Sequence, residues 1–295
     1  MPDRVLKRKF PGTAAALLLL LVLRIPLAAQ GRNTPGPGDA AGGRKAEDAD
    51  YSPEDVYYLG RAVAAGIVSR YRPYKRDRAL SEYLNSICAA LVINSPARAP
   101  AMYNGYHVLV LDSGEINAFA SPAGHIFITR GLAGCAPSED ALAAVIAHEI
   151  AHIQLEHSVA LLADRDISLM LELDGVARRA RQRAARLRPV SEKISSLRES
   201  VQAMTDTLFT NGYTRSQEFE ADIYALSLLR AAGYRPSALV DLLRVLQQRQ
   251  AGSRSPFYNT HPMPSQRISN VQSRIGRRSA DTGESRKNRF GAISR

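Results

Sequence analysis

The chain has 295 residues, 45% of them hydrophobic and 23% charged, with no Trp and a formal net charge of +11. This balance excludes a disordered or fibrous chain and fits one good-sized domain or two small ones. The positive charge suits nucleic acid, an anionic membrane surface or an acidic partner. The absence of a nucleic-acid motif and of aromatic residues interleaved with basic ones argues against the first.

Part of the charge lies at the start. In the first 29 residues Arg4, Lys7, Arg8, Lys9 and Arg24 oppose only Asp3. Arg4 to Lys9 form a positive segment, Ala14 to Leu23 an apolar run of 10 residues, and Ala28 and Ala29 follow as small residues. This order predicts a signal peptide over residues 1–29, cleaved after Ala29, and hence export to the periplasm. The run is short for a transmembrane helix and Arg24 closes it. Retention as an inner-membrane anchor is the alternative. No Cys near the cleavage site offers a lipid attachment point. In an exported chain Cys88 and Cys135 can pair. Two buried thiols is the favoured alternative, since Cys88 falls on the apolar face of a helical segment.

Residues 30–50 are rich in Gly, Pro, Ala and charge and read as a disordered linker. The main domain is expected over 51–275. Ser52-Pro53-Glu54 opens a helix to about Tyr71, and a second runs from about Asp77 to Asn94. His107–Leu111, Ile116–Ser121 and His125–Thr129 read as strands separated by turns, a small antiparallel sheet. Pro137, Ser138 and Asp140 cap a helix running to about His157. Helical, charged sequence follows to Asn211. Its cluster of Arg178, Arg179, Arg181, Arg183, Arg186 and Arg188 reads either as a dock for anionic lipid or an acidic partner, or as a solvated face, the latter favoured. Further helices are expected from Thr214 to Gly233, Pro236 to Gln250 and Ser265 to Arg274. Residues 276–295 read as a basic tail without a core, disordered in this reading. The fold class is mainly helical α+β.

The helix expected after Pro137 carries His148-Glu149-Ile150-Ala151-His152, an HExxH motif. Two His four apart share a helix face and reach one metal ion, and Glu149 can take a proton from a water beside it. A catalytic zinc needs a third protein ligand and an open position. His157 lies nine residues after His148, roughly 180° around a helix, and faces away. Leu155 and Ser158 stand where a metzincin needs Gly and His, which excludes that class. A carboxylate from another helix is left, and Glu218-Phe219-Glu220-Ala221-Asp222 is the best place for it. Glu218 and Asp222 share a face, so Glu218 can bind the metal and Asp222 can orient a ligand His. Glu220 points elsewhere. An ordinary acidic helix start is the alternative for this cluster.

With these stretches the chain resembles metallopeptidase family forty-eight, a gluzincin family. Asn117-Ala118-Phe119-Ala120-Ser121-Pro122-Ala123-Gly124 is similar to its NAF-type strand and turn. His148 to His152 is its HExxH, and Arg215-Ser216-Gln217-Glu218 to Asp222 is similar to its SRxxExxAD. Thr260-His261-Pro262, with Arg267 five beyond the Pro, is similar to HPxxxxR of its soluble members. The resemblance implies a zincin-type catalytic domain with His148, His152 and Glu218 on one zinc and Glu149 as general base. It implies that His261 lies near the metal, either filling the open position or stabilising the oxyanion. It also implies that Asn117, Ala118, Phe119 and Ala120 pair with an extended substrate. Some members carry a C-terminal tetratricopeptide array and others several membrane spans, and neither is read here. The expectation is an exported endopeptidase acting on misfolded envelope polypeptides, with a link to outer-membrane assembly. The competing readings are a chaperone for outer-membrane proteins whose proteolysis His261 holds latent, and a structural zinc site.

Overall fold

The computed structural model describes residues 52–95, 105–163, 190–210, 212–250, 260–261, 264–275 and 283–293. The expected signal segment and linker, and the arginines from Arg178 to Arg188, lie outside the described residues.

Local chemistry sets the helix starts. Ser52 caps α1 (Pro53–Arg70): its hydroxyl accepts from Asp55 N, and Asp55 Oδ2 accepts from Ser52 N. Two otherwise orphan donors are thereby satisfied, with Pro53 in the first turn where its missing N–H costs nothing. Asp77 caps α2 (Arg78–Ile93) by accepting from Leu80 N.

Three strands follow, β1 (His107–Leu111), β2 (Ala118–Ser121) and β3 (His125–Thr129), in the order β1-β3-β2. β2 and β3 form an antiparallel hairpin across Pro122–Gly124, with Phe119 opposite Phe127. β1 pairs with β3 in parallel, His107 opposite His125, so the sheet is mixed and not antiparallel throughout. The segment 112–117 carries the chain past the middle position to the outer edge. β3 then returns between its neighbours in the direction of β1.

Both faces of this sheet are covered, and alternation along each strand divides the core. Val108, Val110, Ala118, Ala120, Ile126 and Ile128 join the larger cluster. Leu111, Phe119 and Phe127 pack with Leu59, Val63 and Ile67 of α1 and with Met204 and Leu208 of α6 (Val190–Thr210). The period of two thus builds a layer of helices on each side of the sheet.

Thr129 caps the short α3 (Arg130–Cys135), and Ser138 caps α4 (Glu139–Gln154) by accepting from Ala141 N. Every residue of α4 from Glu139 to Ile153 is buried. The helix packs against α2, β2, α7 (Arg215–Ala231) and α8 (Ala238–Gln250). It ends at Gln154, where Glu156 takes φ 55° and the chain turns into α5 (His157–Ala163). α7 opens on a capping box of Thr214 and Gln217, and Gly233 follows its end with φ 76°, a conformation that suits glycine. α9 (Pro264–Gln272) packs on α7 and α8.

Residues 276–295 do not form a wholly uncored tail. α10 (Glu284–Ile293) lies on α4. Arg289 Nη2 donates to the buried Glu139 at 2.6 Å, and Arg286 Nε donates to the buried Asp140 at 3.2 Å. Tyr83 and Tyr234 hydroxyls also donate to Glu139. The carboxylates that favour the start of α4 are therefore paired inside the fold. Cys88 and Cys135 are separate buried thiols, and burial pushes the Cys88 thiol up to about 12. Among the described residues no helix is long and apolar enough to cross a membrane.

Gly60 marks where α1 meets the hairpin turn backbone to backbone. A Cβ there would sit 1.9 Å from Pro122 O and 2.9 Å from Ala123 Cβ. Gly60→Ala is expected to cost about 1–3 kcal/mol through overpacking and to lower the thermal midpoint. Gly134→Ala in α3, where a Cβ meets nothing within 4 Å, is expected not to lower it. Thermal unfolding followed by circular dichroism compares the two.

Candidate active site

α4 sets His148 and His152 one turn apart on the same face, and both are buried. Their Nε2 atoms lie 3.1 Å from each other. α7 brings Glu218 to them: Oε1 is 3.2 Å from His152 Nε2 and Oε2 is 3.5 Å from His148 Nε2. His261, on the segment before α9, places Nδ1 2.8 Å from Glu218 Oε1 and Nε2 3.9 Å from Glu149 Oε1. One ligand atom from each of His148, His152, Glu218 and His261 lies within 4.8 Å of all the others.

This donor set fits a metal on two grounds. Ligand bonds of about 2.0–2.1 Å in a tetrahedral site place neighbouring ligand atoms about 3.3–3.4 Å apart, close to the 3.1 Å between the two Nε2 atoms and the 3.2 Å from His152 Nε2 to Glu218 Oε1, while the other oxygen of Glu218 lies 3.5 Å from His148 Nε2. The buried charge also fits. Glu149, Glu218 and Asp222 are three buried carboxylates and Arg267 is one buried cation beside them. With neutral imidazoles the excess is two negative charges, that of a divalent cation's complement. Glu149 Oε2 is buried with no hydrogen-bond partner among the described residues.

Residues 78–275 match the sequence profile of Peptidase family M48, and every residue of this group lies within that span. The chain belongs to peptidase family M48. The beta-barrel assembly-enhancing protease of Escherichia coli strain K12 is 26% identical over 278 residues, covering 92% of this chain and 53% of that protein. The metalloprotease LoiP of the same strain is 27% identical over 162 residues, 55% of this chain and 59% of that protein. The mitochondrial metalloendopeptidase OMA1 of Schizosaccharomyces pombe is 30% identical over 159 residues, 53% of this chain and 42% of that protein. The chain spans about half the length of the curated relatives it matches.

Around this M48 centre the electrostatics are divided among a few groups. Burial opposes ionisation of Glu218, but the positive neighbours His261, Arg267 and His148 outweigh it and hold its carboxyl well below the usual range. Burial raises Glu149, which His261 and His148 only partly offset. Burial and the Arg267 charge push His148 down, while Glu218 and Asp222 pull it up further, to about 9. His152 is driven well below its ordinary value by burial. Asp222 Oδ1 lies 3.1 Å from His148 Nδ1 and is held low, against burial, by Arg267.

Three contributions were not read from the sequence. Arg267 appeared only as a motif position. In the fold its Nε and Nη2 donate to Asp222 at 2.9 and 2.6 Å, and its Nη1 lies 3.1 Å from Glu218 Oε2. Its Nη2 is also 3.3 Å from His148 Nδ1. Arg has no acceptor, so when Nδ1 carries a proton both groups point it at Asp222. Tyr213 stacks on the His152 ring at 3.8 Å and 13°, and shares a hydrogen bond of 2.8 Å with Ser158. An unbroken helix turns His157 away from the motif, but the chain bends after α4 and its Nδ1 comes to 3.0 Å from His152 Nδ1. Glu220, set aside at the sequence level, lies 3.4 Å from the other nitrogen of His157.

Asn117 to Ala120 lie at the sheet edge formed by β2. Two of its backbone groups are already engaged: Ala118 N donates to Asn117 Oδ1 and Ala120 O accepts from Ser158 Oγ.

Removing Arg267 leaves Asp222 and Glu218 buried without their guanidinium. Arg267→Met is expected to destabilise the metal-free protein by about 3–5 kcal/mol. Adding Asp222→Asn is expected to cost less than the sum of the two single changes. Urea unfolding in the presence of a chelator completes the cycle.

Proposed function

We propose that the chain is a zinc-dependent endopeptidase of the bacterial cell envelope. Its substrates in this reading are misfolded or misassembled exported and outer-membrane proteins. The observation that carries the reading is the convergence of His148 Nε2, His152 Nε2 and Glu218 at metal-ligand spacing, beside the unpaired Glu149 oxygen. Family membership supports a metallopeptidase. The signal-like first 29 residues and the similarity to a beta-barrel assembly-enhancing protease support export and a partnership with outer-membrane assembly.

In this reading His148, His152 and Glu218 hold one zinc ion. Zinc supplies Lewis acidity to a water and to the scissile carbonyl. Glu149 takes the proton from the water and returns it to the leaving amine. Its burial raises its proton affinity, which suits a base that must hold and then release a proton. Asp222 accepts from His148 Nδ1 and keeps the opposite nitrogen turned inward. An extended substrate adds to the β2 edge at Asn117 to Ala120. Beside that edge, Ala118, Leu132, Val145, Leu239, Leu243 and Leu246 line an apolar pocket that His148 and Glu149 also border.

One observation favours a second reading. His261 completes the four-donor group, so it can fill the position a catalytic site keeps for water. The protein is then a chaperone or assembly factor for outer-membrane proteins with latent proteolysis, and His261 is the gate.

Casein digestion with metal analysis tests both. Glu149→Gln is expected to keep its zinc and lose about 10²–10⁴-fold in rate. Glu218→Ala is expected to lose zinc, and undiminished zinc there removes Glu218 from the ligand set. His261→Ala is expected to cleave faster than wild type if His261 is a gate. If wild type and all variants are equally inert while wild type keeps an unfolded client soluble, the chaperone reading replaces the first.

A further inference from the structure

His157 has no place among the four donors, yet it is buried against one of them. We propose that His157, backed by Glu220, is a positioning residue that fixes the tautomer and orientation of His152 from outside the metal pocket. This rests on the reading of His152 as a metal ligand.

The proton count follows from the contacts. His152 Nε2 faces His148 Nε2 and Glu218 Oε1 at 3.1 and 3.2 Å, so a metal there needs that nitrogen's lone pair. In a neutral ring the one proton is then on Nδ1. His152 Nδ1 is 3.0 Å from His157 Nδ1, and two protonated nitrogens cannot share that contact. His157 Nδ1 is therefore the acceptor, and its own proton is on Nε2. That nitrogen lies 3.4 Å from Glu220 Oε2. The chain of donors runs one way: His152 to His157 to Glu220. Glu220 is steadied by Ser216, whose hydroxyl donates to its other oxygen at 3.1 Å.

Each contact removes a different freedom. Tyr213, stacked at 3.8 Å, holds the plane of the His152 ring but not its rotation within that plane or its flip. A flipped ring presents carbon where Nε2 now stands. The flipped ring also turns a carbon toward His157 Nδ1 and loses the N–H that donates to it, so the hydrogen bond selects the ligating orientation. The outward end of the chain is a carboxylate whose side chain is 58% exposed. It therefore changes without opening the core.

Two measurements test this on the zinc-loaded full chain. Long-range proton–nitrogen correlation NMR of wild type is expected to show His157 protonated on Nε2 and His152 on Nδ1. A proton on His157 Nδ1 overturns the proposal whatever any variant does. Zinc competition against a chelator is expected to show binding weakened roughly 10–100-fold in His157→Leu. It is expected to be largely restored in His157→Asn, whose amide oxygen replaces the Nδ1 acceptor. Glu220→Ala is expected to lose a smaller part of the affinity. Wild-type affinity in both His157→Leu and Glu220→Ala overturns the proposal while leaving the zinc reading intact. A wild type that binds no zinc overturns the zinc reading first and this one with it.

Discussion

The pairing of Arg267 with Asp222 is the interaction on which the interior of this domain depends. A guanidinium at 2% exposure is costly to bury, and it is held by two hydrogen bonds to one carboxylate and by proximity to a second. Those contacts join three elements. Arg267 comes from α9, Asp222 and Glu218 from α7, and His148, which Asp222 touches, from α4. One cation among three carboxylates makes the acidic pocket tolerable but does not neutralise it. The same imbalance shows in His148, whose elevated proton affinity is the local answer to its carboxylate neighbours. Metal and proton answer the same excess of negative charge, so binding one displaces the other.

The helix bearing the motif faces a different constraint at each end. Because α4 is buried from Glu139 to Ile153, it needs neighbours on every side. The sheet, α2, α7 and α8 supply them, and the three-layer arrangement follows. At its head the buried groups are carboxylates, and these are met by arginines from α10 that reach in from the surface. At its other end the buried groups are imidazoles: burial opposes the charged form of His152, Glu218 and Asp222 favour that of His148, and contacts with other imidazoles and carboxylates surround both. Scaffold charge and site charge are thus handled by different residues.

Much of this was legible where the signal is local. The caps at Ser52, Ser138 and Thr214 sit where the sequence placed them, and β1 and β3 keep their read boundaries. The stretches around His148, Glu218 and His261, far apart in the chain, converge in space. What was not legible depends on tertiary partners. Alternation marks β1 as a strand but does not say whether its neighbour runs parallel. Helix geometry turned His157 away from the motif because it assumed an unbroken helix. Glu156, a non-glycine at φ 55°, ends that helix without a local signal. The α10 segment has few apolar residues, and its arginines find a place only because Glu139 and Asp140 are buried elsewhere. Arg267 belongs to the same class, since a charged residue is read as surface until its buried partner is known.

The fourth donor is bound to the site unequally, and this bears on whether the centre is open or closed. His261 meets Glu218 at 2.8 Å, a contact between two buried polar groups. The backbone beside it is tied to two other parts of the fold. Tyr213 N donates to Thr260 O at 3.2 Å, and the Thr260 hydroxyl donates to Asn117 Oδ1 at 3.4 Å. These ties connect His261 to two places that matter. Tyr213 is the ring stacked on His152, and Asn117 precedes the edge strand and holds Ala118 N through the same oxygen. A movement that withdraws His261 together with Thr260 therefore loosens the support of His152 and removes a donor from the Asn117 oxygen, leaving Ala118 N on it. Net hydrogen bonds of this kind are worth about 0.5–1.5 kcal/mol each, and the buried Glu218 contact is one that any withdrawal of His261 must break.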